Sequence, residues 1–225
     1  MSRNTIQMQY GLGLQEFNQL FPDEQSCRDY LQKLKWPQCY CCRHCSGHKS
    51  WISYCGHRQL PRWECAACHH QESLLSGTLF EKTRLPLRTW FLAIELLTQA
   101  KTGLSALELH RLLHVNDKTA LLMKHKIMEA AAEFEQDRVL SGRIELDDVY
   151  LGGVREGGSP GRGAEGKVPF LAAVQTDEDR HPLYTVLTPV ESFSKQAVQD
   201  WSKQHLSRNS RVLSDALPCF NALDD

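Results

Sequence analysis

Two C-x-x-C pairs constrain this chain more than any other feature. "CYCCRHC" supplies Cys42 with Cys45, "WECAACHH" supplies Cys65 with Cys68, and 19 residues separate the pairs. Each tight turn presents two sulfurs on one side, and four thiolates are the tetrahedral donor set that zinc favours. The surrounding segment is small and polar, so without a metal it lacks a core to fold it. The spacing predicts a structural zinc ribbon over residues 36–80 with Cys42, Cys45, Cys65 and Cys68 as ligands. Of the nine cysteines, Cys39, Cys41 and Cys55 read as bystanders, with Cys55 and His57 as outside candidates. His69 and His70 read as surface residues or DNA contacts.

Charge is distributed unevenly along a chain whose net charge is only −1. Between Cys27 and His70, seven basic residues (Arg28, Lys33, Lys35, Arg43, Lys49, Arg58 and Arg62) stand against Asp29 and Glu64. From Ser141 onward, 13 acids outnumber 9 bases. A basic front and an acidic rear suit a chain that grips a polyanion with one part and holds cations with another. No apolar run approaches the roughly 18 residues of a membrane span, and "MSRNTIQMQYGLG" lacks the apolar run of a signal peptide. A cytoplasmic protein without a membrane partner is expected.

Residues 1–35 read as a helical lead-in and 86–138 as a helical DNA-binding region. "PLRTWFLAIELLTQA" has apolar residues at helical spacing, and Ser105 with Glu108 opens a second helix as a capping box. Asn116 can cap a third, "DKTALLMKHKIMEAAAEFEQ", which carries Lys118, Lys124, His125 and Lys126. Two helices joined by a short turn suggest a helix-turn-helix on double-stranded DNA; a plain three-helix bundle with a solvated lysine face is the alternative.

From residue 141 to 225 the pattern changes to strands. "RIELDDVYLGGV" is the first, followed by the glycine-rich loop "REGGSPGRGAEGK", whose Arg155, Arg162 and Lys167 are further DNA-contact candidates. "VPFLAAVQTD" and "HPLYTVLTPV" form a hairpin. A helix capped by Ser194 and a last strand, "RVLSDA", follow. Three strands, a helix crossover and a fourth strand beside the first describe the opening of an RNase H-like domain. Carboxylates in mid-strand are costly unless they are paired or hold metal. Alternation puts Ile144, Leu146, Asp148 and Tyr150 on the side that reads as packed, so Asp147 rather than Asp148 is expected to meet Asp215 on the neighbouring strand. The fold class is thus α+β and multi-domain: a zinc ribbon, a helical middle and an incomplete α/β RNase H-like domain.

These motifs in succession, from "KWPQCYCCRHC" through "KTGLSALELHRLLHVNDKTALLMKHKI" to "ELDDVYLGG" and "GRGAEGKVPFLAAVQTD", resemble the bacterial insertion-sequence transposases of the ISXO-two-like group. The resemblance runs from about Phe17 onward. It implies DDE-type chemistry: Mg²⁺- or Mn²⁺-dependent DNA cleavage at the element's terminal repeats and strand transfer into target DNA, with self-association on DNA. By matching position, Cys42, Cys45, Cys65 and Cys68 are the zinc ligands, and Asp147 and Asp215 are the first two catalytic acids and magnesium ligands. The family's third metal-site residue lies on a helix well beyond the second Asp. Asp224 and Asp225 are too close to Asp215 to take that place, so a truncated and inactive copy is expected. The alternative is a zinc-ribbon repressor that only binds DNA.

Overall fold

Asp23 accepts a hydrogen bond from the Ser26 N–H at 2.8 Å, which starts a helix (α2, Glu24–Lys35) just after the shorter α1 (Leu14–Leu20). In a computed structural model, residues 12–55, 60–100, 103–152, 166–215 and 217–223 are described. They fall into two compact units, one within Gly11–Ala130 and one within Ala131–Asp225.

In the first unit, three antiparallel strands follow α2 in the order β1 (Ser50–Cys55), β2 (Leu60–Cys65) and β3 (Gln71–Ser73). Three helices come next: α3 (Leu87–Gln99), α4 (Ala106–Leu113) and α5 (Asp117–Gln136), the last of which continues past the unit's limit at Ala130. The Ser105 hydroxyl caps α4 by accepting from the Glu108 N–H at 3.1 Å, and Asn116 accepts from the Lys118 N–H at the start of α5. Helix α3 begins at Pro86 without a side-chain cap of its own. Glu24 of α2 fills that role by accepting from the N–H groups of Leu87 and Arg88 at 2.9 and 3.1 Å, a carboxylate at a helix N-terminus. A single apolar cluster joins the lead-in helices, the sheet and the later helices through Phe17, Trp36, Trp63, Trp90, Leu109 and Met123. Burying large side chains from all three segments stabilises them together, at about 25 cal/mol per Å² of apolar area.

A buried ion pair fastens α2 to the sheet. Lys35 Nζ lies 3.3 Å from Glu72, which is buried, and donates to the carbonyls of Ser73, Leu74 and Ser76. Burial pulls the Lys35 ammonium below its ordinary range, with the charge on Glu72 opposing.

In the second unit, β4 (Arg143–Leu151) pairs antiparallel with β5 (Val168–Thr176), and β5 pairs antiparallel with β6 (Pro182–Pro189). Helix α6 (Lys195–His205), capped by Ser194, then leads into β7 (Arg211–Ser214), which lies parallel to β4. The sheet order is β6-β5-β4-β7. Ile144, Leu146, Leu171, Ala173 and Val186 bury one face of it with Val198 and Trp201 of α6. Trp201 Nε1 donates to Thr188 Oγ1 at 3.0 Å, so the indole's polar edge is satisfied within the core. Among the described residues no helix is long and apolar enough to cross a membrane.

Candidate metal centres

The four paired cysteines converge. Two turns of the same build carry them: the Cys42 N–H donates to the Gly47 carbonyl and Ser46 N–H to the Cys42 carbonyl, while the Cys65 N–H donates to the His70 carbonyl and His69 N–H to the Cys65 carbonyl. Ser46 and His69, each four residues past the first cysteine of its pair, hold matching φ values of 58° and 59°. The knuckles face each other with Cys42 Sγ 3.6 Å from Cys68 Sγ and Cys45 Sγ 3.5 Å from Cys65 Sγ. All four sulfurs lie within 4.8 Å of one another. Sulfurs bonded to one tetrahedral ion at roughly 2.3 Å stand about 3.8 Å apart, so the donor set fits zinc. A Cβ on Gly47 would come within 3.3 Å of the sulfurs of Cys45 and Cys65, which explains a glycine there.

The thiols divide into two kinds. Burial opposes a thiolate at Cys42, but the N–H groups of Cys45 and His44 outweigh it and bring the group down to about 6. The N–H groups of Cys68 and Ala67 lower Cys65 as well. At Cys45 the Gly47 N–H favours the thiolate, yet the thiols of Cys68 and Cys65 push it up to about 12. At Cys68 the His70 N–H is likewise outweighed, by burial and by the neighbouring thiols, and the group is raised. Four sulfurs this close cannot all carry charge unless a cation lies among them. The other cysteines lie elsewhere: Cys39 is 3.6 Å from His48 Nδ1, Cys41 is exposed, and Cys27 and Cys219 are buried. The side chain of Cys55 and all of His57 lie outside the described residues.

The second cluster sits on the other sheet. The parallel register pairs Leu146 with Ser214, so the next residues, Asp147 and Asp215, come side by side at the end of β7. Carboxylate oxygens of Asp147, Asp148 and Asp215 all lie within 4.8 Å of one another. The Asp148 N–H donates to Asp147 Oδ1 at 2.9 Å and orients it. Hard oxygen donors crowded in this way repel unless a cation screens them, and they suit Mg²⁺ or Mn²⁺. Burial pushes the nearby Cys219 thiol up, reinforced by the charges of Asp148 and Asp215.

Asp148 is the member that strand alternation discounted. It starts on the packed side, but the buried run on β4 ends at Leu146, and Asp148 is only half-buried at the rim of the core. Its adjacency to Asp147 was the signal that could have found it.

The expected DNA contacts are more scattered. At 100° per residue, Lys118 points away from the buried stripe of Ala120, Met123 and Ile127, whereas Lys124 and Lys126 flank that stripe on opposite sides. The outward face also carries exposed Leu122 and His125. Lys167 is half-buried just before β5, and Arg155 and Arg162 lie outside the described residues, as do Asp224 and Asp225.

A family described as the ISXO2-like transposase domain matches residues 139–225, the stretch that holds β4 to β7 and all three carboxylates. Over that stretch the chain is similar to the ISXO2-like transposase domain. The cysteine cluster and helices α1 to α5 lie outside the matched residues. A relative that spans both parts is an uncharacterized protein in transposable element ISH50 of Halobacterium salinarum, 24% identical over 220 residues, covering 91% of this chain and 71% of the relative.

Proposed function

We infer that this chain is a transposase that binds DNA through its cysteine-bearing unit and α5, and that the carboxylate cluster is the site of metal-dependent phosphoryl transfer on that DNA. The convergence of Asp147, Asp148 and Asp215 on neighbouring parallel strands carries the reading. In this account the second unit is an RNase H-like arrangement. Asp147 and Asp215 hold a divalent ion, and Asp148 adds a third oxygen donor at the same place. Divalent ions at such a site supply Lewis acidity and an activated oxygen nucleophile for in-line displacement at phosphorus. The chain's own part is to fix the donor positions through the β4–β7 register and to keep the site open to a phosphodiester, as the exposure of Asp147 and Asp215 supports. Cys42, Cys45, Cys65 and Cys68 hold zinc as a structural ion. Lys118, Lys124, Lys126 and Arg162 contribute phosphate contacts, which give affinity without sequence preference.

The decisive readout is DNA binding in the presence and absence of Mn²⁺, with the DNA that flanks the protein's own coding sequence. Mn²⁺ should tighten binding to a fragment with an exposed strand end, and Asp147→Ala or Asp215→Ala should remove that gain. Neutralising Lys118, Lys124 and Lys126 together should weaken binding with or without the ion and flatten its salt dependence. Binding that is indifferent to Mn²⁺, or a gain that survives both aspartate variants, contradicts the catalytic reading.

A further inference from the structure

Strand β1 is an edge strand, and it exposes three large side chains in four residues: Trp51 is 60%, Ile52 52% and Tyr54 64% exposed. Alternation and register separate them. Trp51 lies opposite Glu64 on one face, while Ile52 and Tyr54 lie opposite Trp63 and Pro61 on the other. That second face turns toward α2 and encloses a groove of about 210 Å³, lined by Ile52, Tyr54, Pro61, Trp63 and by Gln25, Arg28 and Gln32 of the helix. A larger cavity of about 400 Å³ shares Arg28, Pro61 and Leu74 with it and extends the groove toward Leu85 and Leu87.

The lining combines an exposed aromatic ring and an aliphatic side chain with one guanidinium and two carboxamides. Such a set offers a stacking surface beside donors and acceptors in a plane, which is how unpaired bases are held; duplex DNA keeps its bases stacked inside and would meet only phosphate contacts here. Arg28 lies 3.9 Å from Glu24 and Lys35 is taken up by buried Glu72, but Lys33, Arg43, Lys49 and Arg62 of the same segment are exposed, and this excess of positive charge complements a phosphate backbone rather than an apolar partner surface.

We propose that the groove between β1 and α2 is a single-stranded DNA site in which Tyr54 and Ile52 stack an unpaired base and Arg28, Gln25 and Gln32 contact its edge and backbone. The proposal rests on the reading that this protein binds DNA and assigns it a contact for an opened strand, distinct from the lysines of α5. Because Tyr54 is mostly solvent-exposed, shortening it leaves the core intact.

The test uses the full zinc-loaded chain and fluorescence anisotropy with a labelled oligothymidine and a duplex of equal length. Tyr54→Ala should weaken oligothymidine binding about tenfold, the order expected for one lost stacked base, and change duplex binding less than about twofold. Tyr54→Phe should bind like the parent, and Trp51→Ala, equally exposed but on the opposite face, should matter little. An oligothymidine affinity unchanged in Tyr54→Ala overturns the proposal. So does an equal loss for both DNAs, a loss with Trp51→Ala instead, or a changed oligomeric state in Tyr54→Ala with DNA binding intact, which would assign the groove to a second copy. A parent that binds duplex but not oligothymidine refutes the groove alone, whereas one that binds neither refutes DNA binding as well.

Discussion

The two clusters solve opposite problems with the same economy of residues. The cysteine cluster has soft donors, buried Cys42 and Cys65, and two hydrogen-bonded knuckles that satisfy the backbone around it. The carboxylate cluster has hard donors, two of them exposed, placed where a short strand ends. A closed set of four sulfurs leaves an ion no vacant position and makes it part of the fold. An open set of oxygens leaves room for water or a phosphodiester and makes the ion part of the chemistry. The contrast also lies in what surrounds each site: aromatic packing of Trp36 on Trp63 at 4.8 Å beside the first, solvent beside the second.

Removing the first ion is the harshest way to test that contrast. Structural zinc contributes roughly 10 kcal/mol or more in small domains at neutral pH, so a strong chelator, or Cys42→Ser, should unfold the β1–β3 sheet. Backbone amide exchange should then rise across residues 40–73 while the β4–β5 pairing stays protected. A sheet that stays protected without zinc would show that the apolar cluster alone holds it.

A smaller effect is expected at the ion pair that ties α2 to β3. Among the described residues, the Lys35 ammonium at 3.3 Å is the cation that meets the buried Glu72 carboxylate. Lys35→Met strands that charge and frees three carbonyls, which should cost about 3–5 kcal/mol in denaturant unfolding of the first unit. Adding Glu72→Leu should recover much of the loss. If Lys35→Met costs nothing, the surroundings of the cysteine cluster are wetter than the burial implies.

The smallest signal is protonic. Without metal, Cys45 is held near 12 and Cys68 is raised, so both keep their protons at pH 7, while Cys42 near 6 is mostly thiolate and Cys65 is shifted in the same direction. Zinc uptake at pH 7 should therefore release at least about two protons, more as pH falls through 6, and affinity should drop in the same direction. Calorimetry in buffers of different ionisation enthalpy reads this number. Zero release would mean the free thiols do not share charge in this way.

Much of this was legible in the chain. The α5 limits, the β4–β7 strands and the Ser194 cap follow from periodicity and local hydrogen-bonding chemistry, and the parallel placement of β7 follows from the handed crossover through α6. The paired spacing singled out the four cysteines. What was not legible depends on distant partners. Lys35 and Glu72 meet across 37 positions, and nothing local marks either as buried. Asp148 depends on where β7 stops, which alternation along β4 cannot report. The lysines of α5 look like one stripe in sequence only because they are close in number.

The central claim is that the carboxylates hold a divalent ion independently of the structural one. Electron paramagnetic resonance of Mn²⁺ titrated into zinc-loaded protein tests it most directly. The account predicts a bound Mn²⁺ in the parent, lost in Asp147→Asn and Asp215→Asn and weakened in Asp148→Asn, with zinc content unchanged throughout. Mn²⁺ binding that persists in the Asp147→Asn, Asp215→Asn double variant, or that disappears only when zinc is lost, would contradict it.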